Sequence, residues 1–194
     1  MRVTETTVRP GGVPVQLYGE ARERAGQPGI GGDAAFAGLY ERQVALVYRY
    51  LYGQTGSRET AEDLTSLTFM RALAAFPRYR PDYPPHAWLL RIAHNVLIDH
   101  RRAATRTARL IARLAGLRAE PTWIRSNGED LGNFLGMTAG LPKAQRDALA
   151  LRFLADLDVK EVAAVLGRSR GATRMLLSRA LETLRTRTVQ EGKL

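Results

Sequence analysis

Apolar residues recur at three- and four-residue steps along most of the chain. This spacing, seen at Val44, Val47 and Leu51, puts apolar side chains on one face of an α-helix. No stretch shows the apolar–polar alternation of a half-buried strand, so the fold class is predicted to be all-α. The predicted helices span approximately residues 34–53, 57–75, 86–103, 142–154, 158–167 and 169–187.

Several helix ends carry recognisable capping residues. Ser57 and Ser169 each stand directly before a helical pattern and are predicted N-caps. Asp158 and Glu161 have the three-residue spacing of a capping box, in which each side chain bonds the backbone N–H of the other residue. Gly167 follows the same short helix and is predicted to end it.

Composition and hydrophobic pattern divide the chain into four segments. Residues 1–33 are rich in glycine and proline with few large apolar side chains, and we expect a disordered tail there. Two helical domains are expected, over 34–103 and 134–194. The intervening linker, 104–133, has an arginine-rich first half that could continue the preceding helix.

The charge balance indicates a polyanionic partner. The chain has 29 Lys and Arg against 19 Asp and Glu, a formal net charge of +10, and nearly all of the cations are arginine. The excess lies in the helical domains and the linker, whereas basic and acidic residues balance in the first 33 positions. The absence of cysteine, of a secretory signal and of an 18-residue apolar run favours a cytoplasmic protein.

The last two predicted helices form a helix-turn-helix pattern. The outward face of the final helix carries hydrogen-bond donors suited to phosphates and guanine edges: Arg170, Arg174, Ser178 and Arg179. Its inward face, which should pack on Leu149, Phe153, Val162 and Leu166, consists of Thr173, Leu177, Ala180, Leu181 and Leu184. The alternative interpretation is an ordinary helical hairpin with a solvated arginine face.

A proline-rich loop over residues 78–86 has the residue types needed to hold an unpaired strand. Its prolines stiffen it, Tyr79 and Tyr83 offer stacking faces, and Arg78 and Arg80 can neutralise phosphate. The alternative for the aromatic residues is a role in the core, since Trp88 shares a helical face with Ile92 and Val96. Asn95 lies beside that face and is the better candidate for reading a base edge.

Two blocks of residues in this chain resemble a known family, the extracytoplasmic-function (ECF, group IV) sigma factors. One block resembles their region 2 and the other their region 4, in the family's order and with its linker length. The region 2 block comprises Ala61–Leu73, Phe76–Arg80 and Ala87–Arg102. The region 4 block comprises Leu141–Phe153, Glu161–Gly167 and Gly171–Ala180.

The resemblance implies a protein that directs core RNA polymerase to promoters. Region 4 would read the −35 element as duplex, and region 2 would open the −10 element and hold one non-template base flipped out. The implied −10 residues are Arg78, Tyr79, Arg80, Tyr83, His86, Trp88, Arg91, Asn95, Arg101 and Arg102. The implied −35 residues are Ser169, Arg170, Arg174, Ser178 and Arg179.

The resemblance also implies protein partners. The helix over 57–75 would dock on the clamp helices of the polymerase β′ subunit through Asp63, Ser66, Leu67 and Met70, and region 4 would contact the β flap. Leu67 could instead be an additional core residue. An anti-sigma factor is a further expected partner, whereas no cofactor and no small-molecule substrate is expected.

Catalytic and metal chemistry find no support in the sequence. His94, Asp99 and His100 are five and six residues apart, and these steps turn helical side chains away from one another. No nucleophile motif, phosphate-binding loop or dinucleotide fingerprint is present. Two alternatives remain: a stand-alone helix-turn-helix regulator, which leaves the loop and the 57–75 face unexplained, and a DNA-processing enzyme, which lacks a carboxylate cluster.

Overall fold

The computed structural model describes residues 30–80, 84–115 and 129–191, and within these ranges it contains helices and no strand. This confirms the predicted all-α class. A 3₁₀ turn, Phe76–Arg78, follows the second helix, and a π-helical turn, Ala150–Leu154, follows the fifth. The helices are α1 Ile30–Thr55, α2 Arg58–Ala75, α3 Pro85–Ala115, α4 Glu129–Thr138, α5 Lys143–Leu149, α6 Val159–Leu166 and α7 Arg170–Glu191.

The predicted caps are confirmed. The Ser57 hydroxyl accepts the Thr60 N–H, and Asp158 and Glu161 make both bonds of the capping box, each of 2.8 Å. Gly167 closes α6 in the left-handed region with φ of 62°, where a side chain would add strain. The short segment between Gly167 and α7 therefore sets the turn of the helix-turn-helix.

Two helices extend well beyond the approximate ranges predicted for them. Helix α1 begins at Ile30, so residues 30–33 are helical and do not belong to a disordered tail; residues 1–29 lie outside the described part. Helix α3 continues to Ala115, which confirms that the basic first half of the linker extends the preceding helix.

Helix α4 spans the predicted boundary at 133, because its first five residues, 129–133, belong to the predicted linker and its last five to the predicted second domain. Gly132, read from the sequence as a loop residue, stands within α4. The helix packs on α1, and its Phe134 is buried. Burial of an apolar face outweighs the roughly 1 kcal/mol that glycine costs inside a helix.

One continuous hydrophobic core runs through both halves of the described chain. Helices α1, α2 and α3 pack together, α5 and α6 pack on α7, and the two sets meet where α3 contacts α6 and α1 contacts the π turn. Fully buried leucines come from both halves: Leu51, Leu89, Leu90, Leu97, Leu149, Leu151 and Leu157. None of the described helices has the length and apolarity required to cross a membrane.

The inward face of α7 is narrower than the sequence indicates. Thr173, Leu177 and Ala180 are buried, but Leu181 is 46% exposed because it lies at the edge of the stripe that α5 and α6 cover. Phe153, predicted to receive this helix, is 57% exposed. Its ring faces the Arg152 guanidinium at 5.8 Å and does not enter the core.

Candidate nucleic-acid interface

The start of α7 presents a cationic, hydrogen-bonding surface. The Ser169 hydroxyl accepts the Ala172 N–H at 3.2 Å, which caps the helix. Thr173 is fully buried and its hydroxyl donates to the Ser169 carbonyl at 3.0 Å, so this turn is anchored to the domain. The predicted −35 residues are all exposed, at the N-cap or on the first half of the helix: Ser169, Arg170, Arg174, Ser178 and Arg179.

Three aromatic rings gather at the end of α2 and the start of α3. Phe76 and Tyr79 are stacked with ring centroids 6.2 Å apart, and the Trp88 ring lies 4.7 Å from Tyr79 and 6.3 Å from Phe76. Trp88 packs against the core and is half-buried, as is Tyr79. This cluster joins the two stems of the proline-rich loop, whereas the predicted stacking residue Tyr83 lies outside the described residues.

Most of the other predicted −10 residues are exposed. Arg78 and Arg80 lie in the first part of the proline-rich loop, and Arg91 and Asn95 lie on α3 one turn apart. Arg102 is exposed further along the same helix. Asn95 stands between the buried His94 and Val96, so its amide faces away from the core and is available to a base edge.

Two predicted −10 residues contact the C-terminal half of the chain. Arg101 forms an ion pair with Asp147 at 2.8 Å and also donates to the Gln54 side-chain carbonyl. The His86 Nε2 lies 3.1 Å from Glu161 Oε1. Unlike the exposed members of the predicted −10 set, these two side chains are therefore engaged in contacts within the protein.

The candidate docking face of α2 is only partly free. Asp63 is exposed, but Leu67 packs partly against the core and Met70 is half-buried. The Ser66 hydroxyl donates to the Glu62 carbonyl of the preceding turn at 3.0 Å. Leu67 therefore combines core packing with a partly exposed surface.

A buried polar pair lies beneath the interface, and sequence reasoning did not find it. His94 Nδ1 is 2.9 Å from the Tyr50 hydroxyl, and both residues are buried. Burial lowers the pKa of the His94 imidazole below its ordinary value of 6.5, while Asp147 acts in the opposite direction. Burial also raises the pKa of the Tyr50 phenol, and Asp147 adds to that rise. The neutral His94 ring can then accept the Tyr50 O–H.

The sequence analysis did not identify Asp147 and Gln54 either, because a single acid or amide on an apolar helix face forms no recognisable motif. Both are buried and both contact Arg101. Within the described residues, no group of three or more His, Cys, Asp or Glu side chains is arranged to hold a metal ion.

A helix-turn-helix joined to a second helical bundle, each with exposed arginines, defines a class of DNA-contacting proteins. Comparison with known families narrows this class. Residues 39–107 match the family model of Sigma-70 region 2, and residues 139–186 match that of Sigma-70, region 4. The chain belongs to the sigma-70 family, in its ECF group, in agreement with the predicted resemblance.

Proteins named as ECF sigma factors are similar in sequence to much of this chain. BldN of Streptomyces coelicolor is 37% identical over 160 residues, which cover 77% of this chain and 59% of BldN. SigC of Mycobacterium tuberculosis is 37% identical over 131 residues, covering 64% of this chain and 68% of SigC. SigM of Bacillus subtilis is 29% identical over 150 residues, covering 76% and 91%. The chain thus spans about three fifths of the length of BldN and more of the other two.

Solved structures share the fold. CnrH, solved in complex with the cytosolic domain of CnrY, matches with a TM-score of 0.62 at 24% identity, covering 90% of this chain and 96% of CnrH. RpoE, solved with the anti-sigma factor NepR from Bartonella quintana, matches with a TM-score of 0.66 at 22% identity, covering 78% and 95%. At these identities the likeness describes the helical architecture.

Proposed function

We propose that this protein is a promoter-specificity subunit of RNA polymerase with no catalytic chemistry of its own. The observation that carries the proposal is the presence, in one chain and in the family's order, of a region 2 match and a region 4 match. Each match contains an exposed set of arginines suited to DNA. A cytoplasmic location follows from such a role.

Region 4 would contact the −35 element through the first half of α7. A guanidinium fork matches the acceptor pair of guanine and also phosphate oxygens, and Arg170 and Arg174 are exposed one turn apart. The buried Thr173 would hold the helix at a fixed orientation on α5 and α6 while the arginines enter the major groove.

Region 2 would open the −10 element and hold the separated strand. Unstacking a base costs a few kcal/mol, which contacts to the captured strand must offset. Arg78, Arg80 and Arg91 would neutralise phosphates, and Asn95 would read a base edge. Trp88 and Tyr79, which pack on Phe76, would support the loop stems, and because both are only half-buried they could also contact a base.

Polymerase and an anti-sigma factor are the proposed protein partners. The exposed part of the α2 face, with Asp63, Ser66, Leu67 and Met70, would meet the β′ clamp helices, and region 4 would meet the β flap. The solved RpoE structure holds an anti-sigma factor, which supports a partner of that kind for this chain.

Transcription with purified components tests the proposal. The protein is mixed with core RNA polymerase and a library of promoter fragments, and run-off transcripts are counted with and without it. We expect a stable complex and transcripts that depend on the protein. A chain that binds promoter duplex but neither joins core polymerase nor directs transcripts would instead be a stand-alone helix-turn-helix regulator.

A further inference from the structure

The contact between the two halves of the protein contains a cluster of polar side chains in addition to its apolar packing. We name the interdomain clamp by its five residues: Gln54, His86 and Arg101 from the region 2 half, and Asp147 and Glu161 from the region 4 half. Around it, α3 packs on α6 and α1 packs on the π turn. Apolar contact therefore brings the halves together, and the clamp adds charge pairing at fixed positions.

The first part of the clamp is a buried ion pair. The Arg101 and Asp147 side chains are only 12% and 7% exposed, and their atoms lie 2.8 Å apart. Gln54, 4% exposed, accepts from Arg101 and donates to the Arg146 carbonyl at 3.4 Å. A single amide of region 2 thus bonds both halves and aligns the guanidinium with its carboxylate.

The second part lies at the start of α6. Glu161 uses Oε2 to accept the Asp158 N–H of the capping box and Oε1 to contact His86 Nε2 at 3.1 Å. The same carboxylate therefore caps the N-terminus of a region 4 helix and contacts His86 at the start of α3 in region 2. His86 and Arg101 lie at opposite ends of the proposed strand-contacting stretch of α3.

We propose that region 4 docks on region 2 through the interdomain clamp and in this closed state competes with the −10 strand for Arg101 and His86. The proposal rests on the proposed function, which places both side chains on the DNA strand. A guanidinium enclosed by Asp147 and Gln54 is not available to a phosphate, while Arg91, Asn95 and Arg102 remain exposed. The closed state thus withholds part of the strand-binding surface.

The chemistry of the clamp allows a phosphate group to replace Asp147 as the partner of Arg101. The desolvation of two buried charges offsets much of their attraction, so a buried pair contributes little net stability while its partners are matched. A phosphate group can accept the same charge-assisted hydrogen bond that Arg101 donates to the Asp147 carboxylate. The polyanion can therefore replace Asp147, whereas an uncharged partner cannot.

Because the chain contains no cysteine, two introduced cysteines can be labelled specifically with dyes, and the distance between the dyes reports the closed state. Glu41→Cys on α1 and Glu182→Cys on α7 place two dyes at exposed positions, one in each half, for single-molecule energy transfer. Asp147→Asn removes the charge that pairs with Arg101 and leaves every proposed DNA-contacting residue itself unaltered. Asp99→Asn is the matched control, because Asp99 forms an exposed ion pair with Arg71 within region 2.

We expect Asp147→Asn to raise the population with low energy transfer, while Asp99→Asn leaves it unchanged. Apparent affinity scales with the fraction of competent molecules, so a tenfold rise in the open fraction tightens binding up to about tenfold. Fluorescence anisotropy with labelled single-stranded DNA of mixed sequence measures this gain. Circular dichroism checks that the helices persist.

A second variant tests the closed state independently, in case Asp147→Asn unfolds the protein. Glu161→Gln keeps an amide oxygen for the capping bond but removes the charge opposite His86, and it should shift energy transfer in the same direction. Unchanged energy transfer in both variants would overturn the closed state. Opened molecules with no gain in strand affinity would overturn the competition. Opened molecules in which no variant binds DNA or core polymerase would refute the proposed function while the closed state stands.

Discussion

At the scale of single residues, exposure separates the candidate contacts from the residues that position them. Asn95 and Arg91 are exposed on α3, whereas Trp88 and Tyr79 pack on Phe76. The sequence left Trp88 between a DNA role and a core role. Its contacts with Phe76 and Tyr79 favour a supporting role for this half-buried ring, a distinction that helical spacing alone cannot make.

Replacement of Asn95 by alanine should impair promoter opening selectively. The variant loses donors and an acceptor for a base edge, and each good base contact contributes roughly 1–3 kcal/mol. We expect weaker opening of the −10 element, followed by permanganate reactivity of unpaired thymines, with duplex −35 binding largely intact. His100→Ala, an exposed change on the same helix, serves as the control. Equal loss of both activities would contradict the assignment.

Replacement of Arg174 by alanine should weaken −35 duplex binding and its dependence on salt. If the guanidinium contacts a phosphate, the slope of log affinity against log salt should fall by roughly one. Titrations of duplex DNA at several salt concentrations measure it. Arg185→Ala on the same helix is the matched control, being exposed but outside the proposed −35 set. An unchanged slope would mean that Arg174 makes no backbone contact.

The buried His94 should make the protein less stable in acid. Burial lowers its pKa in the folded state below the ordinary 6.5, so the unfolded chain takes up a proton first as pH falls. The free energy of unfolding should therefore decrease below about pH 6.5, down to the folded pKa. No such cost exists above pH 6.5, where the imidazole is neutral in both states.

Urea titrations at several pH values measure the contribution of His94. His94→Gln should flatten the decline in unfolding free energy on acidification, because the titrating group is gone. His100→Gln is the control, since His100 is exposed on the same helix. If both variants kept the full decline, other groups would be responsible.

At the scale of elements, local signals placed the helices and tertiary contacts extended them. Ser57, Asp158 and Gly167 act as predicted, because caps depend on a few neighbouring residues. The helix α4, by contrast, contains glycine in a stretch read as linker, and its burial against α1 decides its conformation. Weak local preference yields to packing in such segments.

Loss of the α6 cap should destabilise the helix-turn-helix. Asp158→Ala removes the side-chain acceptor for the Glu161 N–H, at a cost of roughly 0.5–2 kcal/mol. Lys160→Ala in the same helix is the matched control and should change stability by less than about 0.5 kcal/mol, as expected for an exposed position. Urea unfolding followed by circular dichroism measures both. A cost for Asp158→Ala no larger than that of the control would show that the capping box is dispensable.

At the scale of the whole molecule, the net charge and the shared core act on different properties. The charge of +10 favours association with DNA, and the structure exposes much of it on α3 and α7. The core joins both halves through the π turn and α1. Stability in region 2 should therefore depend on residues of region 4.

Replacement of Leu151 by alanine tests this coupling. Leu151 is fully buried in the π turn that packs on α1, and a leucine-to-alanine change in a core costs roughly 2–5 kcal/mol. Hydrogen exchange followed by mass spectrometry should show faster exchange in α1 as well as in region 4. The exposed Leu110→Ala is the control. Faster exchange confined to region 4 would mean that the halves unfold independently.

The sequence by itself determined the helical class, the caps, the two blocks and the positive faces, because periodicity, capping and charge are local properties of the chain. It also carried the family, since the resemblance lies in short motifs in a defined order. The tertiary structure alone decided which candidates are free. Arg101 and Arg102 are adjacent in sequence, yet only Arg101 meets Asp147. Contacts between residues more than forty positions apart depend on how the helices pack, and no local pattern encodes them.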